Sequence, residues 1–100
     1  MTFMAGEDPG YLDFVRGRRC CAPDAPFGCS GGVQAHHAGD RALSRRAHDR
    51  TAIPLCMLHH RQWHDASGPF ETWHRDQRRE WATTQIEATQ VSWHEMPAWF

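Results

Sequence analysis

Between Pro54 and His64 the chain reads Pro-Leu-Cys-Met-Leu-His-His-Arg-Gln-Trp-His, which puts Cys56, His59, His60 and His64 within nine positions. On a helix advancing about 100° per residue, Cys56 and His59 fall on neighbouring edges of one face, while His60 and His64 stack at i and i+4. The two pairs point in different directions. One short helix starting at Pro54 could therefore serve two metals, a structural one through Cys-x-x-His and a second through His-x-x-x-His. Any fold for this chain has to bring further ligands to both sides of that helix.

The first site looks for its other ligands upstream. Cys20 and Cys21 are followed by a turn-rich stretch with Pro23, Asp24, Pro26 and Gly28, which leads to Cys29. One of Cys20 and Cys21, with Cys29, Cys56 and His59, makes two short-range pairs about 27 residues apart, the arrangement of a closed Cys3His zinc staple. Four cysteines beside eight histidines read better as ligands than as disulfides in a reducing compartment, and the N-terminus lacks the layout of a signal peptide. With no apolar run long enough to span a bilayer, the expected location is cytoplasmic. One hundred residues allow one small domain, which a structural metal would help to stabilise.

The second site would draw on His36 and His37 as well as His60 and His64. Three of these imidazoles can hold one open-site metal and leave the fourth for acid–base work. All eleven basic residues are Arg, and eight of them lie between Phe14 and His64 against three acids, so this segment carries about +5 in a chain of net charge −1. A basic middle that also carries cations can attract a polyanion. Arg41, Arg45, Arg46 and Arg61 are the candidates for contacting phosphates.

Along the chain, residues 1–10 read as a flexible tail and Tyr11 to Arg16 as a short helix. Val33 to His37 reads as a strand with Val33 and Ala35 on one face and Gln34 and His36 on the other. A loop over 38–52 leads to a second strand, Thr51 to Leu55, stopped by Pro54. After the Ser67-Gly68-Pro69 turn, a second helix is expected from about Phe70 to about Thr89, with His74 inside it. Residues 91–100 read as a Trp-rich C-terminal tail, and residues 11–90 as the folded domain. Trp63 is expected in the core rather than as a base-stacking platform.

Taken together, Tyr-Leu-x-Phe-Val-Arg before a cysteine, Ala35-His36-His37, and Asp49 leading to Pro54-Leu-Cys56-x-x-His59-His60-x-x-x-His64 resemble the HNH (ββα-metal) endonucleases. Within them the likeness is to the phage and prophage branch that includes the Ref-type recombination-enhancing nucleases, and it covers about residues 11–66. The resemblance implies an α+β fold in which a hairpin and a helix grip one divalent ion while a separate zinc site buttresses them. It implies His36, His60 and His64 as ligands of the catalytic ion and His37 as the general base. It favours Cys20 over Cys21 in the zinc set. Two departures stand out: the eight-position step from Cys21 to Cys29 replaces the usual Cys-x-x-Cys, and the middle Asn of the signature is missing. Asp49 is preferred to Thr51 in the orienting role of that Asn.

The expected function is metal-dependent hydrolysis of DNA phosphodiester bonds, nicking with low sequence specificity. The cofactors would be a structural Zn2+ and a catalytic Mg2+, Mn2+, Ni2+ or Zn2+. A zinc-stabilised nucleic-acid-binding module without catalysis is the alternative. A structural zinc domain that meets a protein partner through its C-terminal tail is a third.

Overall fold

The computed structural model describes residues 7–39 and 48–96 as a small α+β fold with one two-stranded antiparallel sheet and three α-helices. Helix α1 spans Pro9–Arg16. Asp8 caps it, its Oδ1 accepting the Tyr11 N–H at 3.2 Å, and Pro9 occupies a first-turn position where its missing N–H costs nothing. The helix thus begins inside the segment expected as a tail. Tyr11, Phe14 and Val15, spaced three and four apart, turn inward and are buried.

Strands β1 (Val33–His37) and β2 (Ala52–Cys56) pair in a register that sets Val33 opposite Cys56, His36 opposite Ile53 and His37 opposite Ala52. Pro54 lies inside β2 rather than ending it. Its carbonyl accepts the Cys21 N–H at 2.9 Å on the side away from β1, so the N–H that proline lacks would not have joined the ladder. Every residue of β2 is buried. Side chains alternate across a strand, so Ala52 joins Tyr11, Phe14 and Val15 on one face, while Ile53 and Leu55 join Phe70 and Ala22 on the other. Full burial of each large apolar side chain in these two clusters contributes about 1.5–3 kcal/mol.

Helix α2 spans Met57–Asp65, three residues later than Pro54, because Cys56 is extended and serves as its N-cap. The loop after Cys29 folds over the start of the helix, where the carbonyls of Gly32 and Ser30 accept the Met57 and Leu58 N–H groups at 3.0 and 3.1 Å. Gly31, at φ +80°, makes that approach possible, since a Cβ there would sit 2.7 Å from the Met57 Cβ.

A 3-10 turn over Gly68–Phe70 follows, and the long helix α3 starts only at Arg75, running to His94. His74 is its N-cap, and the Gln77 side chain accepts the His74 N–H at 2.7 Å. Trp81 and Ile86 pack on the Phe70 cluster, while Trp93 meets Tyr11 and Phe14 edge-on with ring centroids 5.4 and 5.2 Å apart. Val91 to His94, expected in a tail, therefore complete a helix that bridges both clusters. Trp63 is half-buried and packs against the core, 5.2 Å from both Phe70 and Trp81 between ring centroids. Among the described residues, no helix is long and apolar enough to cross a membrane.

Candidate metal centres and the cleft beside them

The two faces of α2 lead to two separate groups of potential ligands. Cys20, Cys29, Cys56 and His59 bring their ligand atoms within 4.8 Å of one another. His59 Nδ1 lies 3.5 Å from the sulfurs of Cys20 and Cys29 and 3.1 Å from that of Cys56. The pair on α2 is preset locally: Cys56 is the N-cap, and its sulfur also accepts the His59 N–H at 3.4 Å. Burial opposes charge on Cys56, but the N–H groups of His59 and Ser30 outweigh it and hold the thiol at about 7. The Cys29 thiol, desolvated and facing Cys20 and Cys56, is pushed up to about 12. Three sulfurs this close can ionise together only with a cation among them, and the donor set suits a tetrahedral metal.

Cys21 takes no part in this group. Its backbone pairs with Pro54, its side chain packs against the Phe70 cluster, and burial, then the neighbouring Cys20, push its thiol up to about 12. Of the two adjacent cysteines, the structure thus brings Cys20 and not Cys21 into this group. A further residue belongs here that the sequence reading treated as part of a turn. Asp24 Oδ1 lies 2.8 Å from His59 Nε2, at ion-pair distance without the alignment of a hydrogen bond. A carboxylate in that place steadies the imidazole with Nδ1 toward the sulfurs.

On the other face of α2, the ligand atoms of His36, His60 and His64 also lie within 4.8 Å of one another. His60 Nδ1 is 2.7 Å from Gln34 Oε1 and can only donate to that carbonyl, which leaves a lone pair on Nε2. That Nε2 faces His64 Nε2 at 3.1 Å. His36, 7% exposed, keeps a buried Nε2 with no hydrogen-bond partner. Burial, and then repulsion from His60 and His64, push His36 down to about 3, and burial with His64 lowers His60. These imidazoles are neutral where a metal would need them neutral, and an orphaned buried nitrogen aimed at two others fits a cation between the three. Gln34 was not singled out in the sequence, although it shares a strand face with His36 and so reaches the same helix.

His37, the next residue on β1, projects to the opposite face. Its Nε2 lies 2.8 Å from Oδ1 of Asp49, a carboxylate 4% exposed whose Oδ2 accepts the Asp8 N–H at 2.7 Å. In neutral His37 the proton then sits on Nε2, and Nδ1 has the free lone pair. Thr51, the other candidate for the orienting role, donates its hydroxyl to the His48 carbonyl at 2.6 Å instead. His36, His37, His60 and His64 all line one cleft of about 520 Å³, with Ala35, Ala38, Gly39 and Trp63 completing the wall. Of the four arginines expected at phosphates, Arg61 is exposed on α2, and Arg41, Arg45 and Arg46 lie outside the described residues.

Fold and site together define a small α+β protein with two Cys/His groups that could each hold a metal ion, one of four donors and one of three. The chain belongs to the family described as protein of unknown function DUF968, whose profile matches residues 4–91. That span runs from before α1 to within a turn of the end of α3. Comparison with curated proteins and with solved structures finds no match.

Proposed function

We propose that this protein is a metal-dependent DNA endonuclease of the HNH (ββα-metal) class, which nicks the phosphodiester backbone with little sequence preference. The observation that carries this reading is the buried, unpartnered Nε2 of His36, facing His60 and His64 across a cleft that also contains His37. A binding module needs neither an open triad of imidazoles nor a fourth histidine backed by a buried carboxylate.

In this reading Cys20, Cys29, Cys56 and His59 hold a structural zinc that fixes the start of α2. A divalent cation on His36, His60 and His64, whether Mg2+, Mn2+, Ni2+ or Zn2+, would supply Lewis-acid stabilisation of charge on the scissile phosphate and the departing oxygen. The chain's own residues do the rest. His37 Nδ1 accepts the proton of the attacking water, and Asp49, accepting from Nε2–H, holds the ring in that tautomer and steadies the imidazolium that forms. Because the Asp8 N–H and His37 occupy the two oxygens of Asp49, the carboxylate is fixed before substrate arrives.

The test is relaxation of supercoiled plasmid by protein retaining its tightly held metal, with Mg2+, Mn2+, Ni2+ or Zn2+ added back. Metal-dependent nicking is expected, with at least about a 100-fold loss in His37→Ala. Binding without cleavage in every metal would leave a zinc-stabilised nucleic-acid-binding module as the better reading.

A further inference from the structure

A second cleft, of about 320 Å³, shares Ala38, Gly39 and Trp63 with the three-histidine cleft and is lined on its far side by Arg75, Arg78 and Arg79. These arginines come from the first two turns of α3. Their spacing of three and four residues sets all three on one helix face, which continues through Ala82, a residue too small to fill the groove. The acids of the same helix, Asp76, Glu80 and Glu87, lie on an adjoining stripe roughly 100° round. Glu80 lines a different depression with Trp73 and Trp81. Among the described residues, no carboxylate comes within ion-pair distance of Arg75, Arg78 or Arg79, whereas Arg16 and Arg50 each have an acid at 2.9 Å.

Arg78 is held rather than mobile. Its guanidinium carbon stands 4.0 Å over the Trp63 ring centroid, its Nη2 donates to the Trp63 carbonyl at 2.7 Å, and its Nη1 has no hydrogen-bond partner. Because Nη1 is buried, Arg78 contributes a fixed positive charge to the groove, and the two exposed guanidinium groups that flank it are the ones placed to meet phosphate oxygens. Trp63 also forms the wall between the two clefts, with His36 on its other side at 6.0 Å between ring centroids.

We infer that Arg75, Arg78 and Arg79 form a backbone subsite for a polynucleotide strand, receiving the phosphates next to the one that lies over His36, His60 and His64. This inference takes its ligand class from the nuclease reading. The subsite places three positive charges, one of them fixed, along one direction out of the cleft, so it sets the path of the strand and is indifferent to base sequence. None of these arginines stands in the basic segment between Phe14 and His64. The fold supplies them from a helix that follows it in sequence.

The experiment is fluorescence anisotropy of a labelled oligonucleotide, single-stranded and duplex, over a salt series. The protein retains its tightly bound metal, and no divalent ion is added, so that nothing is cut. Arg75→Ala/Arg79→Ala leaves the stacked Arg78 in place and should reduce the slope of log K against log salt by roughly 1.4–1.8. The double variant should also weaken binding by about tenfold or more at moderate salt. Arg16→Ala/Arg18→Ala, at and just beyond the end of α1, removes the same charge elsewhere and should leave the slope near that of the parent. Metal content and far-UV circular dichroism establish that both variants are folded. An unchanged slope in the α3 variant, or an equal loss in both, would overturn the subsite while leaving the nuclease reading intact. A parent protein that binds no oligonucleotide would overturn both. Binding with the expected slopes but no cleavage in any metal would keep the subsite and remove the nuclease.

Discussion

The two faces of α2 carry different donor sets, three sulfurs and one imidazole on one side and three imidazoles on the other. Toward Cys20 and Cys29 the helix presents His59, fully buried, with three sulfurs and a carboxylate around it, and a cavity of about 560 Å³ lies alongside, lined by Cys20, Cys29 and Cys56. Toward β1 it presents His60 and His64, half-buried and exposed, with His36 behind them and a cleft in front. A closed four-donor set can do little but hold the chain together. A three-donor set leaves a coordination position for water or substrate. The difference lies in what the hairpin and the loop bring to each side.

The sharpest break in the comparison is at Cys56. Structural zinc contributes on the order of 10–16 kcal/mol in small domains, as much as the whole stability of most, so Cys56→Ser should leave the chain unfolded and without tightly bound metal. His36→Gln, which removes a ligand from the other face, should keep a cooperative melt. Circular dichroism with metal analysis reads both, and a well-folded Cys56→Ser would remove the structural role from the closed site.

Asp49→Asn comes next. The amide can still meet the Asp8 N–H, but it no longer favours the His37 tautomer with a free Nδ1. Nicking should fall on the order of 10- to 100-fold while the melting temperature and the affinity for oligonucleotide change little. A fall in binding equal to the fall in rate would make Asp49 a purely structural residue.

Acid sharpens the contrast further. Protein loaded only at the closed site carries His36 with a folded pKa of about 3 against the ordinary 6.5, so the unfolded chain takes up more protons between those values. Stability tied to His36 is therefore complete above about pH 6.5 and is lost as pH falls toward 3. Between pH 6.5 and 4.5 the parent should lose about 2 kcal/mol more than His36→Gln, read from denaturant melts at each pH. Parallel curves would mean that His36 is not buried in its neutral form.

The smallest effect separates two adjacent thiols. Cys21→Ala should keep the full metal content and cost about 1 kcal/mol of packing, whereas Cys20→Ala should release the metal. Equal metal loss in the two would reopen the choice between them.

Much of the site was legible from spacing alone, for a local reason. Cys56 and His59, or His60 and His64, are near neighbours on any helix, and His36 and His37 face opposite ways on any strand, so residue order sets two candidate ligand pairs, two directions and a histidine apart from the rest. It did not determine where the elements end. Pro54 reads as a stop, but its outward side carries no ladder bond, and Phe70 reads as a helix start, but the chain makes a 3-10 turn there and α3 begins at Arg75.

Only the tertiary structure decided which partners meet across long separations. The Pro54 carbonyl fixes Cys21 and leaves Cys20 to the metal group; the register of β1 on β2 puts His36 and Gln34 against α2; and the turn before β2 carries Asp49 to both His37 and Asp8. The return of α3 across both clusters brings Arg78 onto Trp63 and Trp93 onto Tyr11. Residue type and local period select the donors, but closing the site depends on strand register and packing between distant segments, which no local pattern encodes.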